Sequence, residues 1–167
     1  MIKMGRRGFS LVELLIVVAI ILVLAAIAIP NLLRSRLAAN ESSAVASLRV
    51  LNTAEVNFAM TFNSGFSAGL NALGAPPAGT VASFAAADIA DPTLSGMTLM
   101  GSNTSFVKSG YGFTYSPVGT FPNVQVYSFN ADPVARGTTG QRSFFTNEPL
   151  VIHANSIAQA TASDNPI

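Results

Sequence analysis

Polar side chains all but vanish between residues 9 and 29. That stretch reads FSLVELLIVVAIILVLAAIAI, and only Ser10 and Glu13 interrupt it. At the helical rise per residue it would span roughly 30 Å, the thickness of a bilayer's hydrocarbon core. A helix is the expected form, because no backbone group can stay unpaired in lipid. Pro30-Asn31 closes the run, and the pattern then changes. Over residues 32–62 the apolar positions Leu33, Leu37, Ala44, Leu48, Leu51, Phe58 and Phe62 recur at helical spacing. That is one face of an amphipathic helix. Glu55 falls near this stripe, so it lies at its edge or is paired. Pro30 is either a kink in a continuing helix or a stop. The resumed periodicity favours the kink. Asn63-Ser64-Gly65 reads as the helix end.

The rest of the chain carries a different rhythm. Residues 63–105 are rich in Gly, Ala, Ser and Pro and contain the turn-forming Gly74-Ala75-Pro76-Pro77-Ala78-Gly79. Residues 70–73 and 84–89 predict brief turns or helices within this loop. Period-two alternation then predicts four strands, at 106–115, 124–130, 142–146 and 150–153. Tyr111, Phe113 and Tyr115 share one face. Val124 and Val126 share a face opposite Gln125, Tyr127 and Phe129. Residues 119–123 and Asn147-Glu148-Pro149 read as turns. An antiparallel sheet must cover its apolar face, and the amphipathic half of the long helix can do so. The expected class is therefore α+β, a long N-terminal helix packed on a small antiparallel sheet. The segments are a leader (1–8), an apolar helix (9–30), an amphipathic helix (31–62), a connecting loop (63–105), a sheet (106–153) and a polar tail (154–167) that is loose or only locally packed.

Composition sharpens this picture in three places. Charged residues make up only 10% of the 167-residue chain, and the mean hydropathy of +0.46 is high for a soluble globule. Lys3, Arg6 and Arg7 stand just before the apolar run, so the positive-inside rule keeps the leader cytoplasmic and exports the remainder. Without them six basic residues face eight acidic ones, and no basic patch indicates nucleic acid. Cysteine is absent, which excludes disulfides and thiolate metal sites. A secretory signal peptide would have an apolar core of about 7–15 residues and a small-residue cleavage site. This run is longer, and Ala26-Ile27-Ala28 leads straight into Ile29 and Pro30.

Glu13 is the residue that a plain anchor leaves unexplained. A carboxylate one turn into a lipid-facing helix costs about 2.5 kcal/mol or more and calls for a cation. Cleavage between Gly8 and Phe9 would supply one, an α-amino group with an ordinary pKa of about 7.7–8.0. Between copies offset along an axis, Glu13 of one could meet the amino terminus of the next and set the register.

Arg6-Arg7-Gly8-Phe9-Ser10-Leu11-Val12-Glu13 resembles the processing site of type IV prepilins and related pseudopilins, with Ser10 where threonine is commoner. Asn40-Glu41, Leu48-Arg49 and Ala54-Glu55 resemble the helix that follows the membrane span in such proteins. Lys108-Ser109-Gly110-Tyr111 and GTTGQRSFF at 137–145 resemble the sheet of a subgroup of them more loosely. The resemblance implies a prepilin peptidase cutting after Gly8 and methylating Phe9. It implies storage in the inner membrane, an assembly platform there, and polymerisation with copies of itself into a helical surface filament. Glu13 and Pro30 are then assembly residues, Pro30 marking a kink or melted stretch. Neither cofactor nor metal is implied. The alternative is a pseudopilin of a type II secretion system, mildly disfavoured by the lack of a tight acidic cluster near the C terminus.

Other groups carry less. Asp88 and Asp91 are expected to cap or be solvated. The glycines from 137 to 140 lack the phosphate-loop pattern and read as a turn. His153, Ser156 and Asp164 are the residue types of a hydrolytic triad, but types alone do not make one, and the expected class is not an enzyme.

Overall fold

A computed structural model describes residues 9–94, 104–120 and 122–167. Helix α1 runs Leu11–Phe62, with Pro30 inside it. Pro30 is therefore not a helix stop. The chain divides into two units at Arg36 and Leu37. In the first, residues 11–36 are helical and all exposed except Ala25, which is half-buried. This segment is long and apolar enough to cross a membrane.

The second unit, Leu37–Ile167, holds the core. The buried side chains of α1 here are Ala44, Leu48, Leu51, Ala54 and Phe58, with Ser47, Asn52 and Glu55 among them. This is the stripe that the sequence periodicity marks. Leu37 and Phe62 are half-buried, and Leu33, outside this unit, is exposed. Asn63 ends the helix in the left-handed region, at φ 47°, and Gly65 follows at φ 84°. A Cβ on Gly65 would lie 2.4 Å from the Val124 carbonyl oxygen, so only glycine permits that approach. Phe66 N–H then donates to the Val124 carbonyl at 2.9 Å. Val124 is thus buried by a bridge to the helix exit rather than by a strand. Leu70–Leu73 form a single 3-10 turn, as expected. Residues 84–89 form no helix; Ser83 and Ala86 exchange backbone hydrogen bonds in a tight turn.

The sheet is a six-stranded antiparallel meander in sequence order. Its strands are β1 (Ser105–Lys108), β2 (Tyr111–Val118), β3 (Val126–Pro133), β4 (Ser143–Asn147), β5 (His153–Asn155) and β6 (Asn165–Pro166). The expected strand at 106–115 is in fact a hairpin. Ser109 and Gly110 both take positive φ, and the chain folds back so that Phe106 pairs with Phe113. Tyr111, Phe113 and Tyr115 point inward, as their spacing predicts, and Tyr127, Phe129 and Ala131 of β3 join them. The expected strand at 150–153 lies later, at β5. The sheet also continues past residue 153: Ala160 is buried, and β6 pairs with β5.

Candidate functional site

Glu13 sits in the first turn of α1, and its Oε2 accepts the Ser10 backbone N–H at 2.9 Å. Ser10 and Glu13 have the S-x-x-E spacing of a capping box, and the carboxylate arm of that box is formed. The first helical bond, from Leu14 N–H to the Ser10 carbonyl, closes at 3.2 Å. Glu13 therefore has a local partner, one that the S-x-x-E spacing signals in the sequence, besides the cation that an apolar surrounding calls for. A carboxylate here also suits the positive end of the helix dipole. Phe9 is 80% exposed, directly before the capped turn. Gly8 and the basic residues of the leader lie outside the described residues. Pro30 is exposed within the helix. The structure thus brings Phe9 and Glu13 to one helix end and leaves Pro30 about five turns away.

Below this end the helix presents an unbroken apolar surface. Leu14, Leu15, Ile21, Leu22, Val23, Leu24 and Ile27 are each more than half exposed. A soluble monomer rarely exposes an apolar patch of more than about 300–600 Å². Such a surface must meet lipid or protein.

In the second unit two carboxylates fasten α1 to what packs on it. Glu41 Oε1 accepts the Gln141 and Arg142 backbone N–H groups at 2.9 and 3.2 Å. Its Oε2 accepts Arg142 Nε at 2.8 Å and pairs with the guanidinium at 2.8 Å. Burial pushes Glu41 up, but these donors outweigh it and hold the carboxyl below its ordinary value. Glu55 is fully buried and, among the described residues, forms no ion pair. It accepts the Ser67 N–H at 2.9 Å and the Ser67 hydroxyl at 2.6 Å. Burial raises its pKa, and the Ser67 donors only partly offset that. Glu55 is therefore not at the edge of the stripe, and its partner is a neutral serine.

The remaining candidates are structural in these surroundings. Asp91 accepts the Thr93 N–H at 2.8 Å and the Thr93 hydroxyl, a local cap. Asp88 is exposed at φ 56°. Gly140 lies against Tyr111, where a Cβ would fall 2.0 Å from the phenol oxygen, so the 137–140 turn is tight because a ring packs on it. His153 Nδ1 meets the main-chain oxygen of Asp164 at 2.7 Å, not its carboxylate. That carboxylate is engaged by Asn155 Nδ2 at 2.8 Å and by the Thr161 N–H and hydroxyl at 2.7 and 3.0 Å. No relay runs from Asp164 through His153, and the tail is fastened rather than loose.

An apolar helix of membrane length, and a distal helix packed on an antiparallel meander, define a pilin-like α+β architecture. Residues 3–29 match the family described as the prokaryotic N-terminal methylation motif. The chain is 51% identical over 53 residues to the type IV major pilin protein PilA of Myxococcus xanthus, a stretch covering 32% of this chain and 24% of that one. It is 54% identical over 44 residues to the type IV wide pilus major component PilA4 of Thermus thermophilus, covering 26% of this chain and 34% of that one. The matched stretches thus span about a quarter to a third of the length of these relatives. No solved structure matches.

Proposed function

We propose that this chain is a structural subunit of a type IV pilus, matured by a prepilin peptidase and polymerised through residues 11–36. The observation that carries the reading is the conjunction at one helix end. A methylation-type motif leads into a capped helix that is apolar from Leu14 to Ile29 and exposed along that run except at half-buried Ala25. Lipid covers that surface in the precursor, and other copies of the same helix cover it in the filament. The leader stays cytoplasmic, the unit from Leu37 onward is exported, and the inner-membrane assembly platform extracts the subunit. The relatives named as a type IV major pilin and a type IV wide pilus major component support the pilus reading; a pseudopilin of a type II secretion system, which shares the same helix, is the alternative.

Glu13 has two successive partners in this scheme. In the precursor its carboxylate caps the Ser10 amide. Once the bond after Gly8 is cut, the new amino group of Phe9, on the same or an adjacent copy, competes for it. A cation within reach of a carboxylate in a low-dielectric surrounding is a strong register signal.

N-terminal mass analysis of sheared surface filaments tests the reading directly. The expected species begins at Phe9 and carries one methyl group. Filaments whose subunits retain residues 1–8, or the absence of this chain from surface filaments, would refute it. Short periplasmic assemblies with a secretion defect on deletion would favour the pseudopilin. Glu13→Gln keeps the side-chain shape and a weaker cap but removes the charge. It is expected to insert and be cleaved, and to yield several-fold less filament per processed subunit. A normal yield would remove the charge-register role.

A further inference from the structure

A groove of about 240 Å³ runs along α1 within the second unit, lined by Glu41, Ser42, Val45, Ala46, Arg49 and Arg142. Its charges do not balance. Both oxygens of Glu41 are taken up by Arg142 and two backbone N–H groups, so the carboxylate has little left for any other cation. Arg49 is exposed, and among the described residues its guanidinium forms no ion pair. The groove therefore presents one unneutralised guanidinium beside an apolar floor of Val45 and Ala46. The loop 75–91 carries the opposite pattern. Asp88 is exposed and, among the described residues, in no ion pair; Asp91 is exposed three residues on; Val81 is 86% exposed on the same loop. No residue of that loop lines the groove, so the two surfaces do not satisfy each other within one copy.

We propose that the Arg49 groove docks the acidic loop 75–91 of a second copy of this chain, with Asp88 as the main counter-charge. The inference rests on the filament reading above and adds a specific contact between the exported parts of neighbouring subunits. Two different, mutually complementary surfaces on one molecule make a heterologous contact, which propagates as an open helical array instead of closing a dimer. Charge pairing across such a contact sets register and rejects wrong offsets more than it adds affinity. It would therefore complement the apolar helix, whose packing is strong but carries little positional information.

The test is a charge swap in the full chain in its own host, read as sheared filament per processed membrane subunit. Arg49 is exposed, so R49E should leave the subunit folded and processed. It should lower filament yield by about tenfold, since like charges brought together at an interface cost several kcal/mol. D88R should do the same, and R49E/D88R together should restore most of the yield. A misfolded R49E subunit would not be rescued by D88R, so the double variant separates assembly from folding. Wild-type yield in R49E, or no restoration in the double variant, would overturn the contact while leaving the pilus reading intact. A wild-type strain with no filaments containing this chain would overturn both.

Discussion

Leu22 and Leu51 occupy the same helix, yet Leu22 is 64% exposed and Leu51 is fully buried. The comparison extends to their whole surroundings. Residues 14–29 form the most apolar stretch of the chain, and none of residues 11–36 is fully buried. Residues 37–62 alternate polar and apolar and supply one wall of the core. Apolar content alone therefore does not locate a core. What locates it is apolar content on one face, because only an amphipathic helix distinguishes a partner from solvent. A helix apolar on every side implies an environment that is itself apolar on every side. The polar groups follow the same division. Glu13 makes a local contact three residues away, whereas Glu41 and Glu55 reach Arg142 and Ser67, groups brought to them by the fold.

The sharpest way to break this comparison is a matched pair of truncations, Leu51→Ala and Leu22→Ala, in the full chain held in detergent. Leu51 sits in the core cluster with Leu48, Phe58 and the inward aromatics of β2 and β3. Its truncation should destabilise the second unit by about 2–5 kcal/mol through lost burial and the cavity left behind. Leu22→Ala should leave the same unfolding midpoint unchanged and act only on filament yield. Equal effects of the two changes on the midpoint would erase the distinction between the halves.

A smaller effect tests the fastening of α1 to the sheet unit. Glu41→Gln keeps the size of the side chain but loses the charge that four nitrogens of Gln141 and Arg142 converge on. Arg142 is about half exposed, so solvent screens the ion pair itself, and the backbone donors matter more. A loss of about 1–2 kcal/mol is expected near neutral pH. The folded-state pKa of Glu41 is depressed, so its contribution is present above the ordinary carboxyl value and fades as pH falls through the folded one. The wild type and Glu41→Gln should therefore converge in stability on acidification. Melting curves that stay parallel down to acid pH would deny Glu41 this role.

Much of this division was legible in the sequence because both halves announce themselves by periodicity. The 9–29 run, the stripe through Ala44, Leu48, Leu51 and Phe58, and the inward Tyr111, Phe113 and Tyr115 follow from spacing alone. What escaped was decided by backbone geometry or by distant partners. Ser109 and Gly110 reverse the chain inside a stretch whose alternation reads as one strand, because two consecutive positive φ values leave no trace in hydropathy. β6 is two residues long and exposed at both, too short to show any alternation, so only its pairing with β5 reveals it. The Ser10 and Glu13 cap is readable from its spacing, but a carboxylate in an apolar run equally satisfies the pattern of a charge that pairs with a distant cation. Glu55 was ambiguous because its partner Ser67 lies beyond the helix end, where no periodic argument reaches.

Glu55 also provides the finest test of the contrast between local and fold-dependent carboxylates. It is fully buried, and among the described residues the titratable groups that act on it are Tyr115 of β2 and Tyr127 of β3, with Glu148 acting on Tyr127; none of these is a cation. Tyr115 Oη donates to the Ser67 carbonyl at 2.7 Å, so the serine that binds Glu55 is itself held in place. Burial disfavours the ionised carboxyl and raises its folded-state pKa above the unfolded value. The sign of the linkage is then the reverse of that for Glu41. Glu55 contributes stability fully below the unfolded carboxyl pKa, and that contribution is lost as pH rises through the folded one. Glu55→Gln keeps an uncharged acceptor for the Ser67 N–H and cannot ionise. Relative to the wild type, the variant should therefore gain stability as pH rises from about 4 toward neutrality, where the unfolded carboxyl titrates. The measurement is the difference in unfolding midpoint between the two proteins across that range. A difference that is flat with pH would mean that Glu55 titrates as it does in the unfolded chain, and that Ser67 compensates its burial in full.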